Sequence, residues 1–194
     1  MYGGWSVRVG GKIWPTDQPS IRMLLAQQWT YGHVMGRAAP STFMDDKHTL
    51  AFTRQLAQLK VNYSEFLVYG RLMHPPTLTA VASAAAAGGG SLRDMKWSVG
   101  YPAGKFCNSP VVIGQVWMAS NGSLGVALAN PSNESQAVNV SLRVDGHTHN
   151  IIRPKGAVLV DRSRRYTVDE SHLTLLRSLP ALSAAIVRID PAGQ

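Results

Sequence analysis

One cysteine, eleven acidic residues and no long apolar run set the first limits on this 194-residue chain. The lone Cys107 excludes an internal disulfide and every multi-cysteine zinc site, and it leaves the redox compartment open. No uninterrupted apolar stretch reaches the roughly 18 residues needed to cross a bilayer, so no membrane partner is expected. The opening Met1-Tyr-Gly-Gly-Trp5 lacks the basic and then apolar pattern of a secretion leader. In a fragment, that lack carries no information about where the parent protein resides. The eleven acids stand against nineteen lysines and arginines, a net charge of +8. An excess of that size suits nucleic acid, an anionic surface or an acidic polysaccharide. The basic run Arg153, Lys155, Arg162, Arg164 and Arg165 has only Tyr166 beside it for base stacking, so nucleic acid ranks last among these. A solvated loop face explains the run as well. A Gly-rich phosphate loop and a nucleophile elbow are also missing.

The residues that are present repeat with two different periods. Phe52, Leu56, Leu59, Tyr63 and Phe66 recur every three to four positions, the stripe of a long amphipathic helix. It is expected to begin at Asp45-Asp46, where acids favour a helix N-terminus, and to run to about Met73. Pro75-Pro76 would stop it, because proline lacks the donor and disfavours helix in the residue before it. An earlier helix is expected from Thr16 or Asp17, with Pro19 in its first turn, Ile21, Leu25 and Trp29 on one face, and an end near Gly36. Beyond His74 the period becomes two: Leu124, Val126, Leu128 and then Val138, Val140, Leu142, Val144 alternate with polar or small residues, as half-buried strands do. Asn121-Gly122 and Asp145-Gly146 are strong two-residue hairpin signals, because both positions accept positive φ. Further short strands are expected near 157–160, 173–176 and 184–189.

These patterns divide the chain into a helical part, 1–76, a partly irregular connection, 77–110, which includes the low-complexity run 84–90, and an antiparallel β-sandwich, 111–194. The fold class is α+β. The helical part cannot bury its own stripe, so that stripe is expected to lean on neighbours outside the chain.

The run Leu25-Ala-Gln-Gln-Trp-Thr-Tyr-Gly-His33 and the segment Phe66-Leu-Val-Tyr-Gly-Arg-Leu-Met-His-Pro-Pro76 resemble the last helices of glycoside-hydrolase-like (β/α)8 barrels. Val116-Trp117, the strand at 121–130 and the closing segment 179–189 are similar to the C-terminal β-sandwich of the same proteins, a poorly characterised family. The resemblance implies a C-terminal fragment, the remnant of a TIM-barrel-like domain plus an accessory sandwich supporting a carbohydrate-active barrel. Its partners would be the missing N-terminal barrel portion of the same protein and, as a ligand, carbohydrate. A whole barrel takes roughly 250 residues, so the chain cannot complete one. The alternative is a free-standing glycan-binding or scaffolding sandwich.

Glycoside hydrolysis needs two carboxylates, one protonated and one ionised. Asp17, Asp45 and Asp46 read as helix caps, Asp145 as a turn residue, Glu65 as a helix residue and Asp169-Glu170 as a polar loop, so no catalytic residue is assigned and enzyme status stays open. Tyr2, Trp5 and Trp14 offer flat faces that stack on sugar rings, against packing on a barrel wall as the plainer explanation. Trp117 reads as core. His147 and His149 share a strand face, but with no third ligand near them no metal is expected, nor any other cofactor. His33 and His74 are expected at helix ends. Asn62, Asn121, Asn133 and Asn139 each open an Asn-x-Ser sequon and are candidate N-glycosylation sites, which tilts the expected location toward the secretory route.

Overall fold

Asp17 starts the first helix as its sequence context suggests. In the computed structural model its carboxylate accepts from the Ser20 amide at 2.9 Å, and helix α1 (Gln18–Thr30) follows with proline in the first turn. The structure describes residues 17–34, 46–81, 92–98, 106–143, 158–159, 166–168 and 172–190. Asp46 caps helix α2 (Lys47–Asn62) in the same way, through the His48 amide.

The second helix is shorter than its stripe implies. It stops at Asn62, not near Met73, because Val61-Asn62-Tyr63-Ser64 strings together poor helix formers and Tyr63 leaves the helical region at φ −123°. A single turn, α3 (Ser64–Leu67), carries the stripe on to Phe66. The chain then bends at Gly70, where a β-carbon would lie 2.4 Å from the Phe66 carbonyl oxygen. Strand β1 (Arg71–Leu72) follows at once. Pro75-Pro76 therefore precede a strand and end no helix, and His74 lies between β1 and β2 (Thr77–Ala80), away from any helix end.

The described strands are antiparallel throughout. The remaining ones are β3 (Asp94–Ser98), β4 (Phe106–Pro110), β5 (Ile113–Met118), β6 (Leu124–Asn130), β7 (Gln136–Arg143), β8 (Val158–Leu159), β9 (Tyr166–Val168), β10 (His172–Leu179) and β11 (Ser183–Asp190). One sheet has five strands in the order β1-β5-β6-β11-β8; the other has four, β2-β7-β10-β9; β3 and β4 form a separate hairpin. The turn at Asn121-Gly122 joins β5 to β6, but five residues, 119–123, separate the strands and Gly122 alone of the pair has positive φ, 84°, so it is not the two-residue turn expected. Residues 71–80 span the expected boundary at 76 and give one strand to each sheet. The Asp145-Gly146 turn lies outside the described residues.

Two apolar clusters share the five-stranded sheet. Val126, Leu128, Val187 and Ile189 from that sheet pack with Val138, Val140, Leu142 and Leu179 from the other. On the opposite side, Ala127, Ala129, Ala184 and Trp117 pack with Ile21, Leu25, Trp29, Phe52, Leu56 and Phe66. Every residue of β6 is buried as a result. This overturns the expectation that the helical stripe needs an absent neighbour: Phe52 and Leu56 are at most 1% exposed. It also corrects the reading of β6 as half-buried. Its small residues, Gly125, Ala127 and Ala129, do not face water; they are where the helices come close. A β-carbon at Gly125 would sit 2.5 Å from the Phe66 ring.

Candidate functional site

The joint between helices and sheet is held by a few directed polar contacts. The Trp117 indole N–H donates to the Thr30 carbonyl at 2.9 Å, tying β5 to the end of α1. Gly32, at φ 67°, lets the chain pass tightly over Leu67 and the Trp117 ring. At the C-terminal ends of the helices, the Lys60 ammonium donates to the Gly32 and His33 carbonyls at 2.9 and 2.8 Å. It ties the last turn of α2 to the two residues that follow the cap of α1. Desolvation lowers the Lys60 pKa from its ordinary value.

At the opposite ends the joint closes on Arg22, which is 6% exposed. Its Nε donates to Thr49 Oγ1 at 2.7 Å, its Nη1 to Asn133 Oδ1 at 2.7 Å, and its Nη2 pairs with Asp46. Thr49 in turn donates to Asp46. Burial opposes the charge on Asp46, but the hydrogen bonds from Thr49, Arg22 and the His48 amide, with the Arg22 charge, outweigh it and hold this carboxyl well below the usual carboxylate range. These contacts set the direction of the helices. Arg22 near the start of α1 meets the start of α2, and Lys60 near the end of α2 meets the end of α1, so the two run parallel. Nothing in the local sequence marks Arg22; its partners are remote in the chain, and Asn133 is the farthest.

Asp190, Glu65 and Glu134 also have structural partners. Asp190 accepts from Ser123 and from Arg188, at 2.7 and 2.6 Å, while Glu65 pairs with Arg188 at 3.5 Å. Burial works against ionisation of Asp190, yet the Ser123 and Arg188 hydrogen bonds and the Arg188 charge lower its pKa. Glu134 pairs with Arg93 at 3.2 Å across an exposed surface. A proton donor for glycoside cleavage needs a raised pKa; Asp46 and Asp190 are displaced the other way. Among the described residues no group of three His, Cys, Asp or Glu side chains is placed to hold a metal ion.

Two surface features remain. A cleft of about 350 Å³ opens between the outer side of α1 and strands β2, β4 and β5, lined by Gln27, Tyr31, Leu78, Ser109, Pro110 and Ile113 among others. Among the described residues no charged side chain lines it. Exposed apolar side chains gather where the helices end: Tyr31, Val34, Val61, Val68, Tyr69 and Leu72, with Tyr69 at 83%. Lys60 joins two of these ends, and Gly32 touches Leu67 and Trp117, the latter the register partner of Leu72.

Of the residues singled out from sequence, Tyr2, Trp5 and Trp14 lie outside the described residues, as do His147, His149 and the basic run from Arg153 to Arg165. Trp117 is core, as expected. Asn62 ends α2, Asn121 lies in the β5–β6 turn, Asn133 in the β6–β7 loop and Asn139 within β7. No described helix is long and apolar enough to cross a membrane. The chain matches no protein-family model, no curated protein and no solved structure.

Proposed function

We propose that this chain is the accessory part of a glycoside-hydrolase-like protein: a β-sandwich carrying the last two helices of a (β/α)8 barrel, which supports a carbohydrate-active barrel and is inactive alone. The parallel run of α1 and α2 carries this reading. Neighbouring helices joined by a short connection are normally antiparallel. Parallel ones need a return path along a helix's length, about 20 Å here. In a (β/α)8 barrel a strand makes that return between consecutive helices. The apolar helix ends add a second support, since an exposed patch of that kind fits a surface built to seat against more protein. Reading the genomic frame upstream of Met1 tests the proposal: in-frame βα repeats are expected, and an immediate stop would contradict it.

The cleft favours a second reading, a glycan-binding module. An exposed tyrosine ring, an amide and a hydroxyl without any formal charge suit a neutral sugar, and the volume lies at the low end of the roughly 300–1,000 Å³ of small-molecule sites. Retention of the chain on neutral-polysaccharide affinity gels, lost in Tyr31→Ala, would favour it.

A further inference from the structure

We propose that Asn133 is an acceptor for an N-linked oligosaccharide, and that the Arg22 joint holds its side chain in the orientation a glycan requires. Attachment joins C1 of the first sugar to the side-chain nitrogen. Nδ2 forms the new bond to C1 and gives up one proton; the C1–oxygen bond of a lipid-pyrophosphate-linked oligosaccharide breaks, and the lipid pyrophosphate leaves. The amide carbonyl survives the reaction. A side chain whose Oδ1 is held by the protein and whose Nδ2 faces solvent can carry the sugar without giving up its contacts.

The four sequons differ on this point. Asn133 is exposed and lies in the loop between β6 and β7. Its Oδ1 accepts from the Arg22 Nη1 at 2.7 Å. A guanidinium can only donate, so the carbonyl must point inward and the nitrogen outward. The loop itself is pinned from below, with Asn130 Nδ2 donating to the Glu134 and Pro180 carbonyls at 2.8 Å each. Ser135, the third sequon residue, is exposed. At Asn62 the carbonyl accepts from the Gln58 amide nitrogen at 2.8 Å, but an amide partner can accept as well as donate, so nothing forces that direction. At Asn121 the carbonyl is turned to the Ser123 amide, but the Ser123 hydroxyl of that sequon is itself buried against Asp190. Asn139 is half-buried in the middle of a sheet, paired with Thr79 on one side and Leu176 on the other. Asn133 alone of the four combines exposure, a forced carbonyl direction and an accessible sequon hydroxyl.

The test is translation of the full chain behind a secretion leader in the presence of endoplasmic-reticulum microsomes, with glycopeptide mass spectrometry and melting of the purified product. Most molecules should carry a glycan on Asn133. Ser135→Ala should remove that glycan and leave the melting temperature unchanged, because Asn133 still accepts from Arg22. Asn133→Ala should remove it and lower the melting temperature. The glycosylated chain should melt within about a degree of the same chain made without glycosylation. An unmodified Asn133 beside modified sequons elsewhere in the chain would overturn the proposal. So would a glycosylated form that melts several degrees lower, because the sugar would then have displaced the carbonyl from Arg22.

Discussion

At the scale of residues, the helix–sheet joint depends on the buried charge of Arg22 and on the missing β-carbon of Gly125. Arg22 has three acceptors, Asp46, Thr49 and Asn133, and removing a carboxylate from such a pair leaves an uncompensated buried cation. Asp46→Ala also strips the cap of α2, so a loss of about 3 kcal/mol is expected in urea unfolding. The same contact predicts a pH dependence. The folded-state pKa of Asp46 lies below its ordinary 3.8. Its stabilisation is therefore complete above that value and is lost as pH falls below about 4 toward the folded-state value. Asp190 acts in the same direction. Urea midpoints measured from pH 7 down to pH 2 should fall steeply below about 4 in the parent chain and less steeply in Asp46→Asn. Gly125 is the converse case, a place where nothing can be added. A β-carbon there meets the Phe66 ring at 2.5 Å, so Gly125→Val should cost at least about 2 kcal/mol, although valine is the better strand former. A neutral or stabilising result would mean that Phe66 does not lie on β6.

At the scale of elements, the five-stranded sheet is covered on both sides, and that is what gives the helices their stability. Leu56→Ala empties a site that is 0% exposed between α2 and the sheet. It should cost about 2–5 kcal/mol, lowering the unfolding midpoint followed by far-ultraviolet circular dichroism, which reports strands and helices together. A helix that merely rested on the surface would lose far less. Much of this was legible in the sequence. The Asp17 cap, the position of the β5–β6 turn at Asn121-Gly122 and the strands at 113–118, 124–130 and 136–143 follow from local chemistry, since capping and tight turns involve residues within a few positions of each other. The end of α2 was misplaced because the stripe continues through α3 while the backbone does not, and periodicity of side chains does not see a break of one residue. The role of β6 was missed for another reason. Large residues alternating with small ones look like large alternating with solvent-facing, yet Gly125, Ala127 and Ala129 carry no polar group to place in water. Alternation of size without polarity is the signal of a strand covered twice. Arg22 had no local signal, because its meaning comes from Asn133 across the whole helix–sheet joint.

At the scale of the molecule, the apolar surface does not lie where a free-standing helical tail would put it. The stripe is covered from within; of the large apolar side chains exposed among the described residues, all but Phe106 lie at the end where α1, α2, α3 and the edge strand β1 meet. Dye binding or self-association of the isolated chain should therefore arise there. Val61→Ser with Tyr69→Ser should reduce both and leave the unfolding midpoint within about 0.5 kcal/mol of the parent, since both side chains are already in water. Unchanged dye binding in that variant would place the sticky surface elsewhere.

The claim on which these readings rest is that helices and sheets form one cooperative body. Native-state hydrogen exchange, followed amide by amide, measures this most directly. The interior amides of α1 and α2 should open with the same free energy as those of β6, and Leu56→Ala should lower all of them together. Helix amides that exchange at a far lower free energy, while β6 and β7 keep full protection, would contradict it.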